Sequence, residues 1–572
     1  MTSPPDNNQD SFRALAAAAQ SLMQQLLGEL PARSPEPAEL VAALTADPAN
    51  REKLASLQSR YYQDWLRLWS EPDVTPPAAD PRFDASEWQQ LPWFRMLRRV
   101  YEMNSEYLAS LTELADLPAQ SKARLRYLAR QLVEAMAPTN FAATNPEAIR
   151  RAMESGGSSL AQGLEQLGSD LGRGRISMSD EQAFEVGRNL AVTPGDVVFE
   201  NDLIQLIQYR PSTPEVHERP LLIVPPFINK YYILDLQPQN SFVRFCVDQG
   251  HTTFIVSWRN IPGSLGHLTW DDYIEKGVIA PIRVVREISG NLTINALGFC
   301  VGGTLLCTAL AVLAARKRRP VHSLSLLATL LDFSDTGEIS VYVDAGFVEH
   351  TESQYAQGGL VPGSRLATTF AMLRARDLVW HFVVNNYLLG RTPPAFDLLY
   401  WNADSANLPG PLYAYYLRNM YFENNLRVPG KLKLGGVAVN LGAIEMPTFV
   451  MGTREDHIVP WRSAYASAQL LGGRTEFVLG ASGHVAGIVN PPAAKRRRFW
   501  TGPPPEKDAD AWLASAQEHA GSWWTHWIRW LEVQGGGRRP APSCTGSGRY
   551  PAIEPAPGRY VRARGDAAAM SH

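Results

Sequence analysis

Leu292-Thr293-Ile294-Asn295 is a short run of the kind that forms a buried strand, and Leu305 to Ala315 is an Ala- and Leu-rich stretch of the kind that forms a helix. Between them stands Gly298-Phe299-Cys300-Val301-Gly302-Gly303-Thr304. Strand, Gly-x-Cys-x-Gly and helix in direct succession leave few options. The turn must be tight, with Cys300 at its apex. A Cβ at Gly298 or Gly302 would collide with the neighbouring strand or helix. The sulfur would then project from the top of a sheet beside a helix N-terminus, whose partial positive charge favours thiolate. The plain alternative is a core cysteine at the start of an apolar helix. The flanking elements, and two suitable partners downstream, weigh against it.

Ala296 to Ala315 carries no charge and precedes Arg316-Lys317-Arg318-Arg319, which imitates a membrane span with a basic flank. Three glycines cluster at one end and the strand accounts for the first residues. The dozen or so that remain as helix are too few to cross a bilayer. The basic run reads as the solvated end of that helix, where cations suit the dipole.

The chain has 572 residues, enough for two or more domains, with the 45% hydrophobic and 19% charged content of a globular protein. A formal net charge of -3 gives no electrostatic case for nucleic acid. Cys246, Cys300, Cys307 and Cys544 lack zinc-type spacing, so neither a metal site nor a disulfide framework is expected. Met1 to Asp10 has no secretory pattern, and a cytoplasmic location is expected.

Residues 1 to about 40 read as a mobile or partner-binding tail with one amphipathic piece, Phe12 to Leu30. A mainly helical N-terminal domain is expected over 1–185. Leu54, Leu57, Tyr61, Trp65, Leu68 and Trp69, then Trp93, Phe94, Leu97, Val100 and Tyr101, recur at helical spacing and are expected to be core ahead of surface. From 186 to 572 strands alternate with helices, which means a mostly parallel sheet covered on both faces. The alternation lapses over about 332–440, an aromatic, Asn-rich insertion expected to form a cap. The tail from Gly535 reads as loop.

Asp456 follows a strand ending at Gly452, and His484 follows one ending at Leu479. Nucleophile, acid, histidine is the chain order of an α/β-hydrolase triad. The fold class expected is therefore α/β: an α/β-hydrolase fold with a cap insertion. A free thiol has a pKa of about 8.5 and needs a base. His484 can take its proton, and Asp456 can hold the imidazole in the right tautomer. The oxyanion needs two donors. One is the backbone N–H of Val301. The other comes from the loop Pro225-Pro226-Phe227-Ile228, where proline has no N–H, leaving Phe227 or Ile228, with Ile228 assigned. His457 and Glu455 compete with His484 and Asp456 at lower odds. Cys307 shares the face of Cys300 two turns deeper and reads as core. His251 and His267 read as structural. A thiol accepts an acyl group from a thioester with little change in free energy, which suits acyl transfer better than hydrolysis.

Gly298-Phe299-Cys300-Val301-Gly302-Gly303-Thr304, Pro225-Pro226-Phe227-Ile228-Asn229-Lys230-Tyr231-Tyr232-Ile233-Leu234-Asp235-Leu236, Arg454-Glu455-Asp456-His457-Ile458-Val459-Pro460-Trp461 and Gly483-His484-Val485-Ala486-Gly487 resemble the signatures of polyhydroxyalkanoate (PHA) synthases. The likeness covers roughly residues 80 to 562. Phe299 and Val301 resemble the class I, single-subunit, short-chain-preferring type. The resemblance implies an acyltransferase acting on (R)-3-hydroxyacyl-CoA, typically 3-hydroxybutyryl-CoA, with a covalent acyl-Cys300 and release of CoA. His484 would activate the attacking hydroxyl, and Asp456 would orient His484 or help deprotonate that hydroxyl. It implies no cofactor beyond the coenzyme A of the substrate. It implies a homodimer formed through the cap, working at a polyester granule with the growing chain and granule-associated proteins as partners. Residues 1 to 40 and Gly535 to Ser547 match the family poorly. A Cys-type thioesterase and an inactive granule-binding scaffold are the alternatives.

Overall fold

The computed structural model describes residues 42–45, 47–70 and 80–564; the expected N-terminal tail lies outside them. The chain forms two compact units, Met1–Asp180 with Thr368–Pro394, and Glu181–Ala367 with Ala395–His572. The helical domain expected over 1–185 thus ends at 180, and the insertion expected over 332–440 is not one body. Trp380, His381, Asn385, Asn386 and Tyr387, expected in a cap, belong to the helical unit.

That unit contains α1 (Pro48–Ser70), α2 (Pro92–Leu114), α3 (Ala119–Ala135), α4 (Pro146–Glu154) and α5 (Ser158–Arg173). The chain leaves helix after α3 and re-enters it at α4, where the Asn145 side chain caps the first turn, accepting from the N–H groups of Glu147 and Ala148. Tyr61 of α1 packs at a tilt on Tyr107 of α2, centroids 4.4 Å apart, and donates to Asn104 at 2.6 Å. The aromatic stripes are only half core. Trp88 is buried, but Trp69 and Trp93 are exposed, because no described element covers the far sides of α1 and α2. The 368–394 stretch is tied in by polar contacts: the Tyr387 hydroxyl donates to Asp170 at 2.7 Å, and Asn386 donates to the Ser177 carbonyl at 2.8 Å.

The second unit is built on an 11-stranded sheet. Its strands are β1 (Gly195–Glu200), β2 (Ile204–Tyr209), β3 (Leu221–Val224), β4 (Thr253–Trp258), β5 (Ile294–Phe299), β6 (Val321–Leu327), β7 (Thr448–Thr453), β8 (Thr475–Gly480), β9 (Arg498–Thr501), β10 (Gln517–Ala520) and β11 (Glu554–Pro555). Their order across the sheet is β10-β9-β8-β7-β6-β5-β3-β4-β2-β1-β11. The run from β4 to β8 is parallel, and the flanking pairs are antiparallel. Strands β3, β4, β5 and β7 are buried along their whole length, as helices on both faces require. In the tryptophan-rich helix at Trp524–Gln534 and its N-cap, Trp523, Trp524 and Trp527 are buried against Phe242. The tail from Gly535 is more than loop. Arg538–Pro540 pairs with Glu215–His217, and β11 adds an edge to β1. His251 stacks on His217 at 4.3 Å in the buried interior behind that pairing, a structural position.

α6 (Val301–Ala315) is buried from Val301 to Leu313, which is why its sequence imitates a membrane span. Among the described residues no helix is long and apolar enough to cross a membrane. The glycines at its start and on the strand before it act as expected. A Cβ on Gly298 would lie 2.9 Å from the Gly303 nitrogen, and one on Gly302 would lie 2.5 Å from the Pro225 carbonyl oxygen. Backbone, unlike a flexible side chain, cannot yield cheaply. Gly302→Ala is therefore expected to destabilise the second unit by roughly 3 kcal/mol, read as a fall in its thermal midpoint.

Candidate active site

Cys300, Asp456 and His484 follow the C-terminal ends of β5, β7 and β8, which lie in that order with β6 between the first two. In doubly covered parallel sheets this edge is where ligands bind. Cys300 sits between β5 and α6 with φ 53° and ψ −129°. A non-glycine residue there costs about 1–3 kcal/mol, sustained only when the surroundings over-determine it. Here the Cys300 N–H donates to the Leu327 carbonyl at 2.9 Å, and its own carbonyl accepts from Gly303 at 2.9 Å and Thr329 Oγ1 at 3.3 Å. Cys300 is half-buried, whereas Cys307 is fully buried and burial pushes its thiol up, as a core cysteine's would be.

Asp456 is buried and every acceptor site is used. Oδ1 accepts from the N–H groups of Ile458 (2.9 Å) and Val459 (2.8 Å), and Oδ2 from Thr453 Oγ1 (2.9 Å) and His484 Nδ1 (2.7 Å). Burial alone would raise its pKa. The His484 charge and these hydrogen bonds outweigh burial and lower it, so it is ionised. An ionised carboxylate can only accept, so His484 Nδ1 carries the proton and Nε2 is left for another partner. Cys300 lies close enough for its charge to act on the same ring. Burial would lower the His484 pKa, but the Asp456 carboxylate, then the Cys300 charge, raise it well above the ordinary value. Phe299 stacks on the imidazole at 5.6 Å and fixes its plane.

Glu455 is exposed next to buried Asp456, and His267 is exposed. His457 contributes none of the four donors to Asp456. Val301 opens α6, so its N–H is one of the first-turn groups without an intrahelical acceptor. The bare Gly302 lets that turn press on the Val224 and Pro225 carbonyls, which brings the loop carrying Ile228 alongside. Phe227 is buried among Trp258, Trp270 and Tyr273.

Sequence reasoning gave Tyr416 and Tyr421 no site role. Both are close enough to Cys300 for its charge to raise their pKa values, on top of the larger effect of burial. Four tyrosines crowded into Tyr413 to Tyr421 were the available signal.

Residues 79–246 match the family described as poly-beta-hydroxybutyrate polymerase (PhaC) N-terminus, and residues 219–491 match the alpha/beta hydrolase fold. The poly(3-hydroxyalkanoate) polymerase subunit PhaC of Cupriavidus necator is 52% identical over 522 residues, 90% of this chain and 89% of the relative. The chain belongs to the poly(3-hydroxyalkanoate) polymerase family. The polymerase of Methylorubrum extorquens is 40% identical, covering 89% of this chain and 87% of the relative. Poly(3-hydroxyalkanoate) polymerase 1 of Ectopseudomonas oleovorans is 39% identical, covering 87% and 89%. As a member of the polymerase family the chain is an enzyme of acyltransferase type, with an α/β-hydrolase fold and a helical N-terminal region.

Proposed function

We propose that this polymerase joins (R)-3-hydroxyacyl units, 3-hydroxybutyryl above all, from their CoA thioesters through a Cys300-His484-Asp456 triad. The observation that carries the reading is the 2.7 Å contact between His484 Nδ1 and Asp456 Oδ2, with Cys300 close enough for its charge to act on the same ring. His484 Nε2 takes the thiol proton as Sγ attacks the thioester carbonyl. The backbone N–H groups of Val301 and Ile228 stabilise the oxyanion. The bond to CoA breaks, the CoA sulfur receives the proton from His484, and an acyl-Cys300 thioester remains. His484 then takes the proton of a hydroxyl, from the chain end or an incoming unit, and that oxygen attacks acyl-Cys300. An ester forms and the Cys300 thiol is restored. Asp456 keeps the imidazole oriented and balances its charge in both halves.

The chemistry needs no cofactor beyond the coenzyme A carried by the substrate. By this reading the enzyme works as a homodimer at a polyester granule in the cytoplasm, with family membership as the support. Incubation with 3-hydroxybutyryl-CoA is expected to give CoA and solvent-extractable polyester in matching amounts. Free 3-hydroxybutyrate as the main product would make the protein a thioesterase instead, and neither product would leave a binding scaffold.

A further inference from the structure

Lys230 stands two residues after Ile228, in the loop assigned to the oxyanion, and the proposed mechanism gives it no task. Only 3% of it is exposed, and burial pushes its pKa down while the Asp404 charge opposes the fall. A buried amine is costly unless its donors are used. Nζ donates at 2.6 Å to the Ala563 carbonyl, so the side chain ties the loop to the C-terminal segment 560–564. That segment is itself held. Val561 is buried in one apolar cluster with Tyr231, Tyr400 and Trp401. The Tyr560 N–H donates to Gln205 Oε1 at 3.1 Å, and its hydroxyl donates to the Asn201 carbonyl at 2.9 Å. Asn260 Nδ2 donates to the Arg564 carbonyl at 3.1 Å, and Arg564 donates to the Tyr400 hydroxyl at 2.9 Å. A second segment, 401–406, holds the same loop. Trp401 Nε1 donates to the Lys230 carbonyl at 2.7 Å, the Ala406 N–H donates to the Ile228 carbonyl at 3.0 Å, and the Tyr232 hydroxyl donates to Asp404 at 3.0 Å. Among the described residues the Ile228 N–H meets no acceptor.

We infer that Lys230 is a positioning residue, whose bond to the Ala563 carbonyl holds the Ile228 N–H where the oxyanion forms. Ile228 lies beyond the last residue of β3, Val224, so no strand ladder fixes it. The 401–406 contacts hold the chain just after the donor, and Lys230 adds a tether to a segment anchored on Gln205 of β2. A slightly displaced N–H still lets the thioester bind but stabilises the transition state less. The loss therefore falls on kcat and leaves KM in place. Alkylation of the thiol forms no oxyanion and does not feel the tether. The proposal rests on Ile228 as the oxyanion donor and Cys300 as the nucleophile.

The test is Lys230→Met in the full-length Cys544→Ser protein, where the exposed thiol is gone and Cys246 and Cys307 are buried. Methionine keeps the apolar bulk and removes the buried amine, so the fold is expected to hold. CoA release from 3-hydroxybutyryl-CoA is read per Cys300 that iodoacetamide labels, the label being located by peptide mass spectrometry. kcat is expected to fall about tenfold, a fraction of the roughly 10²–10³-fold cost of losing one oxyanion donor outright. KM and the labelling rate of Cys300 are expected to stay unchanged. A kcat at the Cys544→Ser level overturns the proposal, as does a loss seen in KM alone. So does a labelling rate that falls in step with kcat, which a general loosening of the site would give. Should Lys230→Met not fold, the chain ending at Arg562, which lacks the Ala563 acceptor, is read in the same way. Cys300→Ala in the same assay keeps the two readings apart. CoA release there would sink the covalent reading, whereas an unmoved kcat in Lys230→Met leaves it standing.

Discussion

His484→Gln is expected to lower kcat for CoA release from 3-hydroxybutyryl-CoA by about 10³–10⁴-fold. Glutamine keeps a hydrogen-bonding group and much of the volume but cannot accept and return a proton near neutral pH. On the proposed mechanism both half-reactions fail at once, because one nitrogen would serve both thiol and hydroxyl. The second half suffers more: a thiol is a few per cent ionised near neutral pH without help, an alkyl hydroxyl essentially not at all. Single-turnover acylation should therefore fall less than steady-state release. Equal losses in both would contradict the shared-base account.

Asp456→Asn is expected to cost about 10³-fold, through orientation rather than direct chemistry. The carboxylate accepts from His484 Nδ1 at 2.7 Å while two backbone N–H groups and Thr453 hold it still. An amide there can keep the backbone donors satisfied by its oxygen. It then presents N–H to Nδ1 and drives the imidazole to the wrong tautomer, with its proton on Nε2 facing the sulfur. The charge balance changes too. Asp456 is the largest influence holding the His484 pKa up against burial, so its removal lets that pKa fall. The sign is fixed: the imidazolium form, present in the wild type up to high pH, is lost at lower pH in the variant. The thiolate–imidazolium pair should be weaker across the neutral range, and the pH profile of Cys300 alkylation should shift upward. A profile identical to wild type would separate Asp456 from the base.

Much of this site is legible in the chain because each piece is local. Gly298, Cys300 and Gly302 sit within five residues, and their demand for a strand behind and a helix ahead can be checked in the flanking sequence. Asp456 and His484 are recognisable because each falls just past a β-rich run, so the sheet itself delivers them to one edge. What escaped is what depends on tertiary company. Nothing near Tyr387 announces its bond to Asp170, more than two hundred residues earlier, so the 368–394 stretch passed for cap. The π-helical turn Leu417–Phe422 has no repeating signature of its own. Trp69 and Trp93 repeat at helical spacing whether or not another element arrives to cover them. Residues 538–540 and 554–555 pair through backbone at sheet edges, which a Gly-, Pro- and Arg-rich composition hides.

The central claim is that the growing acyl group passes through a bond to the sulfur of Cys300. Rapid acid quenching of the wild-type enzyme with 3-hydroxybutyryl-CoA, followed by peptide mass spectrometry, measures this directly. The account predicts a 3-hydroxybutyryl or oligomeric adduct on the peptide containing Cys300, absent from Cys300→Ala, which also releases no CoA. Polyester formation at wild-type rate by Cys300→Ala, or an adduct on another residue, would contradict it.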